Sequence, residues 1–215
     1  VDMLDKIHWL GHDSFRIDGE KTIYIDPWQL SADQPIADLI LVTHDHFDHC
    51  SPEDIATLCD EDTIVVANES AAELLGGKVA GEVRAVEPGD RLMAAGIDIE
   101  TLPAYNTNKF REPGTPFHPK EAKHVGYIIN VGNQRIYHCG DADDIPEMES
   151  LEVDIAMIPV SGTYVMTAEE AVKAAEKIKP NLVIPMHYGT IVGDRGDAEK
   201  FAEQYSGETV IMEKE

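Results

Sequence analysis

Four potential metal ligands, His44, His46, Asp48 and His49, fall within the six residues His44-Asp45-His46-Phe47-Asp48-His49. Imidazole nitrogens and carboxylate oxygens are the donors that zinc, manganese and iron take from proteins. In an extended segment alternate side chains share a face, so His44 and His46 can bind one ion. Asp48 and His49 follow the turn and can reach a second ion beside it. A metal lowers the pKa of its water to about 7, making hydroxide available near neutral pH. A pair of ions can also polarise a carbonyl or phosphoryl oxygen. A surface loop merely rich in histidine is the plainer alternative, but these residues follow, after Thr43, the apolar run Leu39-Ile40-Leu41-Val42.

That run predicts a short strand covered on both faces. After the ligand-type residues, Ser51 and Pro52 predict a helix with Ser51 as N-cap and Pro52 in its first turn. The same arrangement recurs along the chain. Asp26-Pro27 follows the predicted strand Thr22 to Ile25, Gly140-Asp141 follows Gln134 to His138, and His187 follows Leu182 to Met186. Strand ends gathered at one sheet edge make a rigid cage, which is what a catalytic metal needs.

The remaining pattern supplies the scaffold. Strands are expected at Lys6 to Leu10, Ser14 to Ile17, Thr63 to Val66, Val83 to Val86, Arg91 to Ala94, Ile97 to Leu102, Val125 to Val131 and Asp154 to Pro159. Helices are expected from Glu69 to Leu75, from the Thr167–Glu170 capping box to Pro180, and from Asp197 to Tyr205, with a last strand at Thr209 to Met212. Pro103 to Lys123 holds Pro103, Pro113, Pro116 and Pro119, so it reads as irregular. Its content of Tyr105, Lys109, Phe110, Arg111, Phe117 and His118 favours a substrate-covering loop over a disordered one. No linker or short repeat interrupts the chain. The expectation is one α/β domain over residues 1–215, two sheets face to face with helices outside.

Composition narrows the partners. A net charge of −24 across 215 residues disfavours nucleic acid and anionic membrane. An anionic substrate would need positive charge from metals and a few basic side chains. No apolar run approaches the roughly 20 residues of a membrane helix, and the first residues lack a signal-peptide pattern. Cys50, Cys59 and Cys139 show no C-x-x-C spacing. Reduced thiols in a cytoplasmic protein fit them best. The partner expected is a small-molecule substrate, and oligomeric state is left open, a homo-oligomer included.

Thr43-His44-Asp45-His46-Phe47-Asp48-His49 resembles the T-H-x-H-x-D-H signature of the metallo-β-lactamase fold superfamily. Asp26-Pro27, Gly140-Asp141 and His187 follow the superfamily order, and the resemblance covers nearly the whole chain. Gly11-His12-Asp13-Ser14-Phe15 and Tyr137-His138-Cys139-Gly140-Asp141 look like the ascorbate-6-phosphate lactonase-like metal-dependent hydrolases. The resemblance implies a four-layer αβ/βα sandwich with one or two divalent ions at its edge, zinc or manganese, with iron also compatible. It implies that His44 and His46 bind the first ion, that Asp48, His49 and His187 bind the second, and that Asp141 bridges them. Asp26 would orient a ligand, or simply form a turn before Pro27. The superfamily normally places another metal-binding His after the strand that is here Ile97 to Leu102, where this chain has Tyr105-Asn106. His118 could swing in to replace it; otherwise it contacts substrate or lies at the surface.

The reaction implied is hydrolysis of a small ester, lactone or phosphodiester, with Asp48 and Asp141 as catalytic residues and Asp48 also able to handle the proton. His12, Lys109, Arg111, His138, Tyr164 and Tyr188 are candidate substrate contacts, each of which could instead be structural. Two other readings stand beside this one. One is a non-catalytic metal-binding module. The other is a dinuclear redox protein of the same fold, although such relatives usually have a carboxylate where His46 stands.

Overall fold

The computed structural model describes residues 3–149 and 151–215. Two six-stranded sheets carry the cleft. In the first, β1 (Ile7–Gly11), β2 (Ser14–Asp18) and β3 (Thr22–Ile25) are antiparallel neighbours. They are continued by β4 (Leu39–Val42), β5 (Ile64–Asn68) and β6 (Glu82–Val86), which run parallel to β3. The next strands are β7 (Arg91–Ala94) and β8 (Ile97–Pro103), then a small separate hairpin of β9 (Phe110–Glu112) and β10 (Thr115–Pro116). They are followed by β11 (Val125–Val131), β12 (Gln134–His138), β13 (Ile155–Pro159) and β14 (Leu182–Met186). The second sheet has the order β14-β13-β12-β11-β8-β7, parallel on one side and antiparallel on the other.

The residues of β4 show why the chain layers as it does. All four are buried. Leu39 and Leu41 point into the core between the sheets, together with Phe15, Ile23 and Tyr127. Ile40 and Val42 point the other way, onto Ile55 and Leu58 of α1 (Pro52–Leu58) and Ala71 and Leu75 of α2 (Glu69–Leu75). On the far side, α3 (Ala168–Ile178) buries Ala171, Val172, Ala175 and Ile178. Beside it, α4 (Arg195–Gln204) buries Ala198 and Phe201. The result is a helix–sheet–sheet–helix sandwich, the expected α/β architecture. Burial of each large aliphatic side chain stabilises such a core by about 1.5–3 kcal/mol. Tyr127 ties the sheets where the cleft begins: its hydroxyl is a donor 2.8 Å from the Val42 carbonyl and 3.1 Å from that of Val66.

Local signals hold in detail. Ser51 accepts from the Asp54 amide, Pro52 stands in the first turn, and Thr167 with Glu170 forms a reciprocal capping box. Three expectations need correction. The last helix begins at Arg195 because Asp194 caps it, with Asp197 answering from the third position. Thr209 to Met212 is no strand. Thr209 bridges Val183 at one point, and Lys214 then bridges Trp9, so the segment leaves one sheet for the other before any register is established. Pro103 to Lys123 is less irregular than its prolines suggest, since the β9–β10 hairpin folds within it. Cys50, Cys59 and Cys139 are free thiols. Among the described residues no helix is long and apolar enough to cross a membrane.

Candidate metal centre

The ends of five strands meet at one rim. The turn after β1 brings His12 and Asp13, the end of β3 brings Asp26, and the end of β4 brings His44 to His49. Asp141 follows β12 and His187 follows β14. His12, Asp26 and His187 adopt φ values of 53°, 45° and 63°. Such left-handed backbone is uncommon for residues with a side chain and clusters where function over-determines geometry. Gly140 turns the chain into Asp141 at φ 63°, where a Cβ would stand 3.0 Å from the Val125 carbonyl.

Four imidazoles close around Asp141. The Nε2 atoms of His118, His187, His49 and His44 lie 3.2, 3.3, 3.3 and 3.9 Å from its carboxylate oxygens. All four Nε2 atoms and Asp141 Oδ1 are buried without a hydrogen-bond partner. Each ring is anchored through its other nitrogen. His49 Nδ1 donates to Asp26 Oδ2 at 2.8 Å. His44 Nδ1 donates to Thr43 Oγ1 at 2.9 Å, and that hydroxyl donates to Asp26 Oδ2 at 2.6 Å. His118 Nδ1 donates to Asn106 Oδ1 at 3.0 Å, and His187 Nδ1 lies 3.0 Å from Ser161 Oγ. With Nδ1 engaged outward, Nε2 faces the cleft as a donor atom for a cation, and a carboxylate or carbonyl behind the ring is the usual support of such a ligand. Buried polar atoms are nearly always paired, so this set fits a divalent ion.

Two potential donor groups lie side by side. His44, His46 and His118 form one, and His12, Asp48, His49 and His187 another. Asp141 joins His44 and His49 in a third grouping that spans both. Asp26, with Thr43 on both its oxygens, stands behind His44 and His49. Asn106, at the point where the resemblance would place a histidine, instead holds His118 by ring and main chain at 3.0 and 2.8 Å.

Electrostatics of the cluster reflect the crowding. Burial lowers His44 well below the ordinary histidine value, and it lowers His12 and His46 as well. Burial would also lower His49 and His187, but the carboxylates win. Asp141 and Asp48 hold His49 well above the usual value, and Asp141 with Asp13 raises His187 to about 9. Burial opposes ionisation of Asp48 and Asp141, yet the neighbouring imidazoles hold both well below the carboxylate range.

A cavity of about 490 Å³ opens onto His46, Asp48, His118 and Asp141, walled by Asp45, Phe47, Arg111, Tyr164 and Ile191. Of the candidate substrate contacts, Arg111 and Tyr164 therefore line it. His12 lies beneath, with Nε2 2.9 Å from Asp48 Oδ2. The structure places the other three elsewhere. Lys109 pairs with Glu170 at 2.6 Å and Asp143 at 3.4 Å. His138 spans the Asp13 carbonyl and the Gly140 amide. Tyr188 packs on Trp9 with ring centroids 4.9 Å apart. His124 stacks on His44, and burial lowers it to about 3.

Residues 6–187 match the beta-lactamase superfamily domain. A UPF0173 metal-dependent hydrolase of Thermoplasma acidophilum is 35% identical, over 91% of this chain and 88% of its own. The chain belongs to this family of metal-dependent hydrolases. A second member, from Methanopyrus kandleri, is 32% identical over 97% of this chain and 96% of its own. Among solved structures, a Parabacteroides distasonis protein assigned to the metal-dependent hydrolases is 34% identical, with a TM-score of 0.83 over 97% of this chain and 93% of its own.

Three residues at or behind the cleft escaped the sequence reading. Asp13 is fully buried at the cleft floor. Ser161 stands behind His187. Asp143 fastens the loop by accepting the Thr107 and Asn108 amides at 2.6 and 3.0 Å. Ser161 and Asp143 had no local signal. Asp13 sat within a noted motif, but strict alternation would send it away from His12; the left-handed turn at His12 breaks that alternation.

Proposed function

We propose that the chain hydrolyses a small, organic, anionic ester, lactone or phosphodiester with the help of two divalent ions, zinc or manganese. The observation that carries this is the convergence of four unpaired Nε2 atoms on Asp141 at the cavity floor. His44, His46 and His118 would hold one ion, Asp48, His49 and His187 the other, with Asp141 shared. Such ions supply Lewis acidity and a water whose pKa falls to about 7.

The side chains then have separable tasks. Asp26 and Asn106 hold imidazoles in the ligating tautomer. His12 Nε2 donates to Asp48 Oδ2, which fixes that carboxylate as an acceptor at the cavity wall, where it can take a proton from the attacking water. Arg111 has no acidic partner among the described residues and its guanidinium carbon lies 5.3 Å from the centre of the Phe117 ring. In a chain of net charge −24 it is the one arginine or lysine lining the cavity among the described residues, a fork suited to carboxylate or phosphate. Phe47, 68% exposed, with Ile191 and Tyr164 beside it, offers an apolar wall for the rest of the substrate. The motifs around His12 and His138 resemble those of lactonase-like hydrolases, which keeps a lactone among the candidate substrates.

The test is metal content per chain together with turnover of bis(p-nitrophenyl) phosphate and a panel of lactones, before and after chelation. Two ions and chelator-sensitive turnover are expected. Two ions without turnover of any ester would favour a non-catalytic binding module, and dioxygen consumption with reductant would favour the redox reading.

A further inference from the structure

Asp13 has no role in the reading above. Its side chain is 0% exposed, and neither carboxylate oxygen accepts a hydrogen bond. Leaving an ionised carboxylate dry and unpaired costs several kcal/mol, so such a group is normally paired, neutralised or bound to a metal. The nearest basic atom, His49 Nδ1, is 3.9 Å away and already donates to Asp26 at 2.8 Å. No lysine or arginine pairs with Asp13 among the described residues. What does surround it is the deep end of the cleft: a donor atom of Asp13 lies within 4.8 Å of donor atoms of both Asp141 and His187. Those are two residues with unpaired, buried atoms of their own, Asp141 Oδ1 and His187 Nε2.

We propose that Asp13 is a further ligand of the deeper cation, completing a carboxylate-rich set with Asp141, His187, His49 and Asp48. This rests on the reading of the cleft as a divalent-metal site. The consequence is an inequality between the two positions. The outer one offers three imidazoles and a share of Asp141, a nitrogen-rich set that zinc accepts in four-coordinate sites. The deeper one offers three carboxylates and two imidazoles, an oxygen-rich set that suits manganese or ferrous iron in higher coordination. The preference at the deeper position is thus set by a residue outside the signature loop.

The experiment compares wild type, Asp13→Asn and Asp13→Glu as metal-free protein, with circular dichroism and thermal melting confirming that each folds. Manganese binding is followed by electron paramagnetic resonance and zinc stoichiometry by elemental analysis. Wild type is expected to bind manganese at one position. Asp13→Asn should bind it at least roughly tenfold more weakly while keeping one zinc at the outer position, and Asp13→Glu should recover part of the loss. Wild-type manganese affinity in Asp13→Asn would overturn the proposal and make Asp13 a buried neutral acid. If wild type itself took up no divalent ion, the hydrolase reading would fall first, so the two failures are distinct. Should neither variant fold, Asp13→Ser decides: manganese affinity lost with one zinc retained at the outer position supports the assignment, and unchanged manganese affinity overturns it.

Discussion

The two ends of the cleft are assembled by different means. At the deep end, His12, Asp48, His49, Asp141 and His187 sit at or just beyond the ends of sheet strands, and their supports, Asp26 and Ser161, lie at strand ends too. At the outer end, His44 and His46 also follow β4, but their companion His118 arrives through the excursion between β8 and β11. That excursion is held by a few polar contacts: Asn106 on His118, Asn106 on the Tyr164 carbonyl, and Asp143 on the amides of Thr107 and Asn108. Position at the deep end comes from buried strands, whereas at the outer end one of the three imidazoles, His118, depends on loop contacts made by Asn106 and Asp143. A site held by sheet geometry should lose function only when a ligand goes, while one held by a loop should also fail when its fastenings go.

The largest effect belongs to the residue the two ends share. Asp141→Asn keeps the shape but removes the charge that faces four imidazoles. Both ions should be lost or weakened, with turnover falling on the order of 10²–10³-fold. Elemental analysis beside kinetics checks it, and a variant that kept two ions and its rate would remove Asp141 from the centre. His118→Ala should separate the ends. Metal content is expected to fall from two ions to one while manganese binding at the deep end persists. If both ions disappeared, the ends would be one cooperative unit and the contrast would fail.

Asn106→Ala sharpens the comparison, because it touches no ion. It removes the acceptor for His118 Nδ1 and the His118 amide, and leaves the Tyr164 carbonyl without its donor. Loss of such a supporting partner typically weakens metal binding 10–100-fold, and here only the outer ion should feel it. Zinc affinity measured by competition with a chelator is the readout; unchanged affinity would mean that packing, not the amide, holds His118.

How far the sequence foretold this site follows the same division. The strands ending at Asp26, His44, Asp141 and His187 were legible because apolar runs bounded by polar residues specify buried strands. The sheet edge then follows from them. The excursion was not legible in the same way. Nothing in its prolines and aromatics says that Asn106 reaches His118, that Asp143 gathers the amides of Thr107 and Asn108, or that Lys109 turns away to Glu170. Those are long-range contacts without periodicity. Asp13 illustrates a third limit, since a single left-handed residue before it reverses the side on which its carboxylate lies.

A smaller effect is expected at the cavity wall. Arg111→Ala removes the guanidinium that lines the cavity and no proposed ligand. KM for an anionic substrate should rise by roughly tenfold, in keeping with the loss of one charge-assisted contact, with kcat and metal content unchanged. Equal effects on a neutral lactone would show that Arg111 shapes the wall through Phe117 and does not read charge.

The smallest effect concerns pH, and it distinguishes the metal-free cluster from the loaded one. In the metal-free protein His187 is raised to about 9, with burial opposing and Asp141 and Asp13 favouring the proton. Its unfolded value is about 6.5. A folded value above the unfolded one means that the stabilisation is fully present below pH 6.5 and is lost as pH rises toward 9. His49, also raised, adds in the same direction. The melting temperature of metal-free protein should therefore fall across that window, by roughly 2–4 °C for each kcal/mol lost. A ligating imidazole must give up its proton, so cations compete with protons for these rings and bind more tightly as pH rises. The melting-temperature gain on adding metal should then widen from pH 6.5 to 9. A gain that stayed constant would mean that the imidazoles of the deep end do not exchange proton for cation, and the difference between the two ends would have to rest on the loop alone.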